Sequence, residues 1–236
     1  MKKIIAIVLV LCCMLSAVSC NKKKNDENLE KFDDMFASSA PTRAETVVTQ
    51  KFNNGIELKS VIVLTTGTVD GKIATTLESE VQTLSKIDAS TLNYITTTKT
   101  TNWYYEGLGT STDKGKNWKA DGTDFAPKSG TLAMNLLEEY MDSITYSSDE
   151  TSEKIVIKVS AENSAKVLQN FIGEEEFNYD VTITVVSAGE RITSVLIEYV
   201  VDEHMIGDES NLVEISDVVT TIKVDYSYDI QAVTFE

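Results

Sequence analysis

The chain has very little cysteine: three residues in 236, at Cys12, Cys13 and Cys20. It also contains one histidine and two prolines, and 21 basic side chains against 37 acidic ones. Because no thiol follows Cys20, the rest of the chain cannot form an internal disulfide, and with one histidine it cannot assemble the usual zinc ligand sets. The formal net charge of −16 argues against a nucleic-acid partner, since phosphate binding needs a basic surface.

Long apolar runs are also lacking after the first twenty residues. The chain opens with the basic segment Met1–Lys3, and residues 4–18 are almost wholly apolar. This run is shorter than the roughly 20 residues that span a bilayer. A basic head followed by a short apolar run and small residues is typical of a secretory signal peptide.

The end of this run is more specific. Ala17-Val18-Ser19-Cys20 resembles the lipobox of bacterial lipoproteins. That resemblance implies that the Cys20 thiol receives a diacylglyceryl group, with acyl chains such as palmitate, and that the signal is cleaved before Cys20. The alternative is an ordinary signal peptide that is cleaved nearby. A lipid-anchored chain outside the cytoplasm, held at the bacterial cell membrane, is the expected location.

The predicted organisation has three parts. Residues 1–19 form the lipoprotein signal peptide, residues 20–27 the lipidated cysteine and a polar tether, and residues 28–236 a single domain. Residues 1–19 hold two lysines and no acidic residue, so the remainder carries 19 basic and 37 acidic side chains, a net charge of −18. We interpret this acidity chiefly as a solubility feature.

Helical spacing of apolar residues occurs in three segments of the domain. The first contains Leu29, Phe32, Met35 and Phe36. The second runs from Leu132 to Ile144 through Leu136, Leu137, Tyr140 and Met141. The third covers residues 161–172, with Ala165, Leu168 and Phe171 or Ile172 directed inward, and Gly173 follows it.

Most of the remaining sequence alternates apolar and polar residues, as half-buried strands do. The alternation of Phe177, Tyr179, Val181, Ile183 and Val185 with polar residues is the clearest case. Asn53-Asn54-Gly55, Val69-Asp70-Gly71 and the turn at residues 187–190 predict short connections. The fold class is therefore α+β, mainly antiparallel β, and a sheet of eight or more strands is expected to curl. Two or three helices would cover its apolar face.

This layout resembles the LolA/LppX-like superfamily of lipoprotein carriers and lipid-binding lipoproteins. Three features carry the resemblance: the lipobox, tether and first helix; the aromatic segment "NWYYEGLGTSTDKGKNWKAD"; and the strand "VVTTIKVDYSYDI" followed by a predicted edge strand "QAVTFE". It covers residues 28–236. The resemblance implies a curved half-barrel closed by helices, with an apolar ligand or an acyl chain bound between the sheet and the helices.

Few residues suggest catalysis. His204 lies in "DEHMIGDES", which we predict to be a polar loop between two strands, and no nucleophile or carboxylate pair is marked out around it. We therefore expect no enzymatic activity, no cofactor and no metal.

Two groups of apolar residues are candidates for contact with a ligand. The first is Trp103, Tyr105 and Trp118, and the second is Leu136, Leu137, Tyr140 and Met141. Both groups have a structural interpretation as ordinary core packing and a functional one as the wall or entrance of an apolar site. The sequence thus favours a non-enzymatic membrane-anchored lipoprotein that binds an apolar, lipid-like ligand. The alternative is a cell-surface protein-interaction module with a solid core.

Overall fold

The computed structural model describes residues 27–38, 41–53, 55–88, 91–120, 134, 136–172, 177–206, 213–229 and 233–235. The predicted signal peptide and Cys20 lie outside the described residues. The helices are α1 (Glu27–Ser38), α2 (Ala161–Ile172) and a 3₁₀ helix (Glu138–Tyr140). The strands are β1 (Arg43–Lys51), β2 (Glu57–Val69), β3 (Lys72–Asp88), β4 (Thr91–Tyr105), β5 (Gly109–Ser111), β6 (Ser143–Ser148), β7 (Glu153–Val159), β8 (Val181–Ala188), β9 (Arg191–Ile206) and β10 (Val213–Ser227).

All ten strands belong to one antiparallel sheet in the order β5-β4-β3-β2-β1-β10-β9-β8-β7-β6. The chain starts at the centre with β1, steps strand by strand to the β5 edge, resumes at the opposite edge with β6 and returns to the centre with β10. First and last strands therefore pair along their length, from Arg43 with Ser227 to Lys51 with Val219. The prediction of a mainly antiparallel sheet of at least eight strands is confirmed.

The sheet does not lie flat. Cα atoms of β3 and β9 come within 8 Å of each other, although three strands separate them in the sheet. Neighbouring strands are spaced by about 4.8 Å, so a flat sheet would hold β3 and β9 roughly 19 Å apart. The strands between them are therefore bent towards one side.

Period-two alternation gives the sheet one apolar face, which we call the core face. Ile183 pairs with Ile197, and Ile197 pairs with Ile222, so these three side chains form a continuous buried row across β8, β9 and β10. Each fully buried side chain of this kind contributes about 1.5–3 kcal/mol relative to an exposed one. The predicted strands of the last third are confirmed, with the regular ladder of β8 beginning at Val181 rather than at Phe177.

Both described α-helices lie on the β7–β9 part of the core face. Helix α1 buries all four predicted residues, Leu29, Phe32, Met35 and Phe36, and contacts β9. Helix α2 has the predicted bounds, buries Leu168 and contacts β7.

The helix predicted between Leu132 and Ile144 is wrong in its described part. Residues 136–142 contain one 3₁₀ turn, and β6 starts at Ser143. Asp142 donates its backbone N–H to the carbonyl of Lys158 at 2.9 Å, and Ile144 pairs with Ile157. This segment therefore pairs with β7 as an edge strand, because Ile144 and Tyr146 alternate with polar residues. Its apolar residues also fit helical spacing, which explains the wrong prediction.

The other half of the core face is more polar. Ile62, Leu64 and Leu77 form a small buried cluster, with Val81 and Tyr104 half-buried against it. Beyond this cluster, residues 95–100 in β4 are exposed without interruption. The apolar character of the core face thus fades from the β8–β9 side towards β4.

Tight connections follow the predicted turn signals. Asp70 and Gly71 both have positive φ, 50° and 77°, which gives the two-residue turn between β2 and β3 its tight geometry. Asn53 and Gly55 lie between β1 and β2 as expected, with Gly55 at φ 85°.

Candidate functional site

The seven predicted ligand-contact residues fall into two separate groups. Tyr104 packs with Leu77 on the core face, so its neighbours Trp103 and Tyr105 point to the opposite face of β4, where Tyr105 is paired with the buried Ala74. We call this the outer face. Trp118 joins Tyr105 there, whereas Leu136, Tyr140 and Met141 belong to the main core on the other side of the sheet.

The outer-face group is a packed aromatic cluster. The rings of Tyr105 and Trp118 lie 5.9 Å apart, and Phe235 stands edge-on to both, with centroid distances of 5.2 Å. The Tyr105 hydroxyl donates to the Val69 carbonyl at 3.1 Å. These contacts favour the packing interpretation for Tyr105 and Trp118.

Sequence reasoning missed Phe235 as part of this cluster. The segment "QAVTFE" was predicted to be an edge strand, but residues 233–235 are not in a strand. Instead the tail carries Phe235 to the aromatic rings of β4 and of the following loop. An aromatic residue close to the chain end was the available signal.

Trp118 follows a turn that is stabilised by hydrogen bonds to Asp113. The Asp113 carboxylate accepts hydrogen bonds from the Ser111 hydroxyl at 2.7 Å and from the backbone and side-chain nitrogens of Asn117 at 3.0 and 2.6 Å. These bonds, with that from Ser111 contributing most, lower the pKa of Asp113 from 3.8 to about 2. The turn is thus ordered by its own polar groups, and it brings Gly115 close to Trp118 and Phe235.

The core-side group lies beside α2. Leu136 is buried, whereas Leu137, Tyr140 and Met141 are only half-buried. The ammonium of Lys166 on α2 lies 5.2 Å from the Tyr140 ring centroid, a cation–π distance. These three half-buried side chains lie beside α2, and we refer to them as the lip. The predicted covering of the apolar face by two or three helices is not confirmed, because the described residues hold only two short α-helices.

An ion pair links α1 to the sheet. The Lys31 ammonium contacts the Glu153 carboxylate at the start of β7. Hydrogen bonding by Lys31, opposed by partial burial, lowers the pKa of Glu153. Because both side chains are partly exposed, the pair is worth at most about 1 kcal/mol.

Several hydroxyls on the core face are buried and make no hydrogen bond within the described part of the chain. They include Tyr226, a half-buried residue whose hydroxyl oxygen is buried, and the threonines Thr75 and Thr220. Burial, with a smaller contribution from Tyr228, raises the pKa of Tyr226 well above its usual value. A buried hydroxyl without a partner is unfavourable, so such a group is a candidate contact for a polar ligand atom.

A groove of about 480 Å³ opens on the outer face over β8, β9 and β10. Val200 and Val219 are cross-strand neighbours there and remain 42% and 44% exposed. Among the described residues that line the groove, three are carboxylates and none is basic. They are Asp180, Glu198 and Asp202. The Asp180 carboxylate also accepts the Ala161 N–H at 2.8 Å, which caps α2.

The predicted loop position of His204 is wrong. Its backbone pairs with Ile215 in the β9–β10 ladder, because both strands are longer than the apolar pattern suggested. Within the described residues there is no cluster of three or more His, Cys, Asp or Glu side chains suited to a metal. None of the described helices has the length and apolarity needed to cross a membrane.

Comparison with known proteins gives no family assignment. No protein-family model matches the chain, and no curated protein matches it.

Proposed function

We propose that the chain is a membrane-anchored extracytoplasmic lipoprotein that acts without catalysis and binds an apolar, lipid-like ligand between its sheet and helices. The lipobox-like end of the signal segment supports the anchor at Cys20. A LolA/LppX-like half-barrel would supply the site, and the bent antiparallel sheet is compatible with that architecture.

The observation that carries the ligand proposal is the Tyr226 hydroxyl on the core face. It is buried and has no hydrogen-bond partner among the described residues. The neighbouring position on β1 is Ala44, which has the smallest side chain that carries a Cβ. A ligand with a carboxyl or ester oxygen would accept the phenolic hydrogen bond, while its chain would lie against the apolar rows of the sheet.

In this proposal the ligand enters between the sheet and the helices at the lip. Leu137, Tyr140 and Met141 are half-buried at the border of a cover made of two 12-residue helices on a ten-stranded sheet. In this proposal, outward movement of the lip or of α1 exposes the core face without breaking the sheet. Loading would then exchange packing contacts for contacts with the acyl chain.

The test is titration of the full chain in detergent with a dansyl-labelled fatty acid. Tyr226→Phe should weaken binding about tenfold, the value of one hydrogen bond of about 1.4 kcal/mol. It should leave the melting temperature unchanged or raise it, because an unpaired buried hydroxyl is removed.

The matched control is Tyr228→Phe. The Tyr228 hydroxyl donates to the Ile192 carbonyl at 2.7 Å, so this change should lower the melting temperature and leave binding unaltered. Failure of the wild type to bind the probe would refute the ligand proposal. Equal binding by Tyr226→Phe would refute the role of its hydroxyl.

The second candidate function is a cell-surface interaction module. It is favoured by the dense packing beneath the helices, where Phe32, Leu168 and Ile183 are fully buried, and by the outward-facing valine pair in the acidic groove. Under this function the probe would not bind, and substitution of Val200 would abolish capture of a partner without changing stability.

A further inference from the structure

The groove on the outer face has an apolar centre. Val200 and Val219 are cross-strand neighbours there, and both side chains are exposed. A single exposed apolar residue is common on any protein surface, but two adjacent ones inside a concave surface are typical of a contact site. The groove volume of about 480 Å³ lies within the range of binding clefts.

Two carboxylates flank this centre along β9. Glu198, Val200 and Asp202 are all exposed, and they alternate with the buried residues Tyr199 and Val201, so the three exposed side chains share the outer face. Two residues of a strand span roughly 6.7 Å. One carboxylate therefore precedes the valine by that distance along the strand, and the other follows it.

Asp180 lies on a third side of the apolar centre. Val181 pairs with Tyr199, so the residue before it, Asp180, lies beside Val200. One oxygen of the Asp180 carboxylate caps α2 by accepting the Ala161 N–H. The other oxygen makes no hydrogen bond with the described part of the chain.

The negative charge of the groove is not neutralised by described residues. Glu198 and Asp202 make no ion pair with any of them, and the described lining has no basic side chain. Two lysines of neighbouring strands lie outside the groove. The Lys51 ammonium is 3.7 Å from the Glu57 carboxylate, and Lys158 is two strands away from Glu198, roughly 10 Å. The groove therefore combines an apolar centre with unpaired carboxylates.

We propose that this groove binds an extended segment of a partner protein in which a basic residue stands two positions before and two positions after an apolar one. Such residues share one side of an extended chain, and their spacing equals that of Glu198, Val200 and Asp202, because both backbones have the same period of two. The apolar side chain of the segment covers Val200 and Val219. Its two basic groups meet the carboxylates on either side.

Charge favours a basic partner over other occupants. Residues 173–176 and 207–212, which flank the strands of the groove in sequence, contribute three and two acidic side chains and no basic one, so they cannot supply the counter-charge. A second copy of this chain has the same net charge of −16, and the two would repel each other.

This site lies on the face opposite to the proposed lipid-like ligand. Peptide binding and fatty-acid binding are therefore measured separately, and either one can fail without the other. The proposal gives the interaction-module function a defined class of partner, and it also holds if the chain carries a lipid.

The test is fluorescence anisotropy of the labelled peptide Gly-Lys-Ser-Leu-Ser-Lys-Gly, titrated with the full chain in uncharged detergent. We expect saturable binding that weakens as salt rises from about 20 to about 300 mM, because exposed charge pairs are screened. Glu198→Gln should weaken binding about two- to fivefold, as expected for the loss of one exposed ion pair. Val200→Thr should also weaken binding, and its melting temperature should stay close to that of the wild type because the branched shape is kept.

The matched control is Glu190→Gln, which removes the same charge in the exposed turn between β8 and β9 and should bind like the wild type. A peptide with glutamate in place of both lysines should not bind. Absence of binding of the lysine peptide up to millimolar concentration would overturn the proposal, and so would equal binding by Glu198→Gln and Glu190→Gln. Binding that appears only after Lys22, Lys23 and Lys24 are changed to serine would also overturn it, because the predicted tether would then be the occupant.

Discussion

The ring of Phe235 stands at 83° to that of Tyr105, with their centroids 5.2 Å apart. Tyr105 ends β4, whereas the tail that carries Phe235 follows β10, and β1, β2 and β3 lie between those two strands in the sheet. This contact therefore links the segment after β10 to the end of β4, across one half of the sheet. Edge-to-face aromatic pairs are worth about 0.5–1.5 kcal/mol beyond the burial of their area.

Removing the Phe235 ring should remove this contact and lower the stability of the fold. Phe235→Ala is expected to lower the free energy of unfolding by about 1–2 kcal/mol, less than for a fully buried phenylalanine because Phe235 is half-buried. Trp118 fluorescence should shift towards that of a solvated indole. Leu108→Ala, at an exposed site, serves as the control and should stay within about 0.5 kcal/mol of the wild type. Equal stability of the two variants would contradict a stabilising role for the Phe235 contact.

Gly109 allows the chain to turn from β4 into β5. Its φ is +95°, and a Cβ there would lie 2.3 Å from the Lys119 carbonyl oxygen, closer than any real contact. Gly109→Ala should therefore cost more than the roughly 1 kcal/mol of positive-φ strain alone. Gly189→Ala is the matched control, since Gly189 has φ +63° and no described residue lies within 4 Å of where its Cβ would be. Chemical denaturation of both variants separates the cost of positive φ from the cost of the clash with Lys119. A smaller loss in the free energy of unfolding for Gly109→Ala than for Gly189→Ala would contradict the geometry.

Asp113 should make the aromatic turn sensitive to acid. Its pKa falls from 3.8 to about 2 in the folded chain, so its carboxylate stabilises the fold above pH 4. That contribution is lost as the pH falls from about 4 to about 2. Asp113→Asn should lower the melting temperature at pH 7 and flatten its dependence on pH in this window, as followed by tryptophan fluorescence.

Asp149 provides an internal reference for that experiment. It accepts hydrogen bonds from Thr151 and Ser152, and its pKa is also about 2. Asp149→Asn should flatten the same pH window without changing the Trp118 signal, because the β6–β7 turn lies at the other edge of the sheet. A Trp118 response to Asp149→Asn would show that the two turns are not independent.

The anchor prediction rests on Cys20. In a bacterial host, Cys20→Ser should abolish labelling by a palmitate analogue and release the chain from the membrane fraction. Cys13→Ser keeps the lipobox-like sequence intact and should behave like the wild type. Continued labelling of Cys20→Ser would place the lipid elsewhere and refute this anchor.

The sequence was informative where one pattern excluded the others. The bounds of α2 and the buried face of α1 followed from helical spacing, and β8 to β10 followed from strict alternation. Residues 136–144 could not be assigned in this way, because Tyr140 and Ile144 fit both periods and only pairing with β7 decides between them.

The candidate site was harder to predict than the fold. Trp103 and Tyr105 lie near the end of a predicted strand, but the face to which each one points depends on register across β3 and β4. Phe235 reaches the aromatic cluster by a contact between distant parts of the chain, which no local pattern reveals. Likewise, only the fold shows that the Tyr226 hydroxyl is buried without a hydrogen-bond partner among the described residues.

The most direct test of the central claim is native mass spectrometry of the full chain, released from its membrane in detergent and then extracted with organic solvent. The account predicts a discrete added mass that extraction removes, identified as an acyl lipid, beside the covalent mass of the anchor. A chain that carries only the covalent anchor, and that gains no mass when fatty acid or phospholipid is added, would contradict ligand binding between the sheet and the helices.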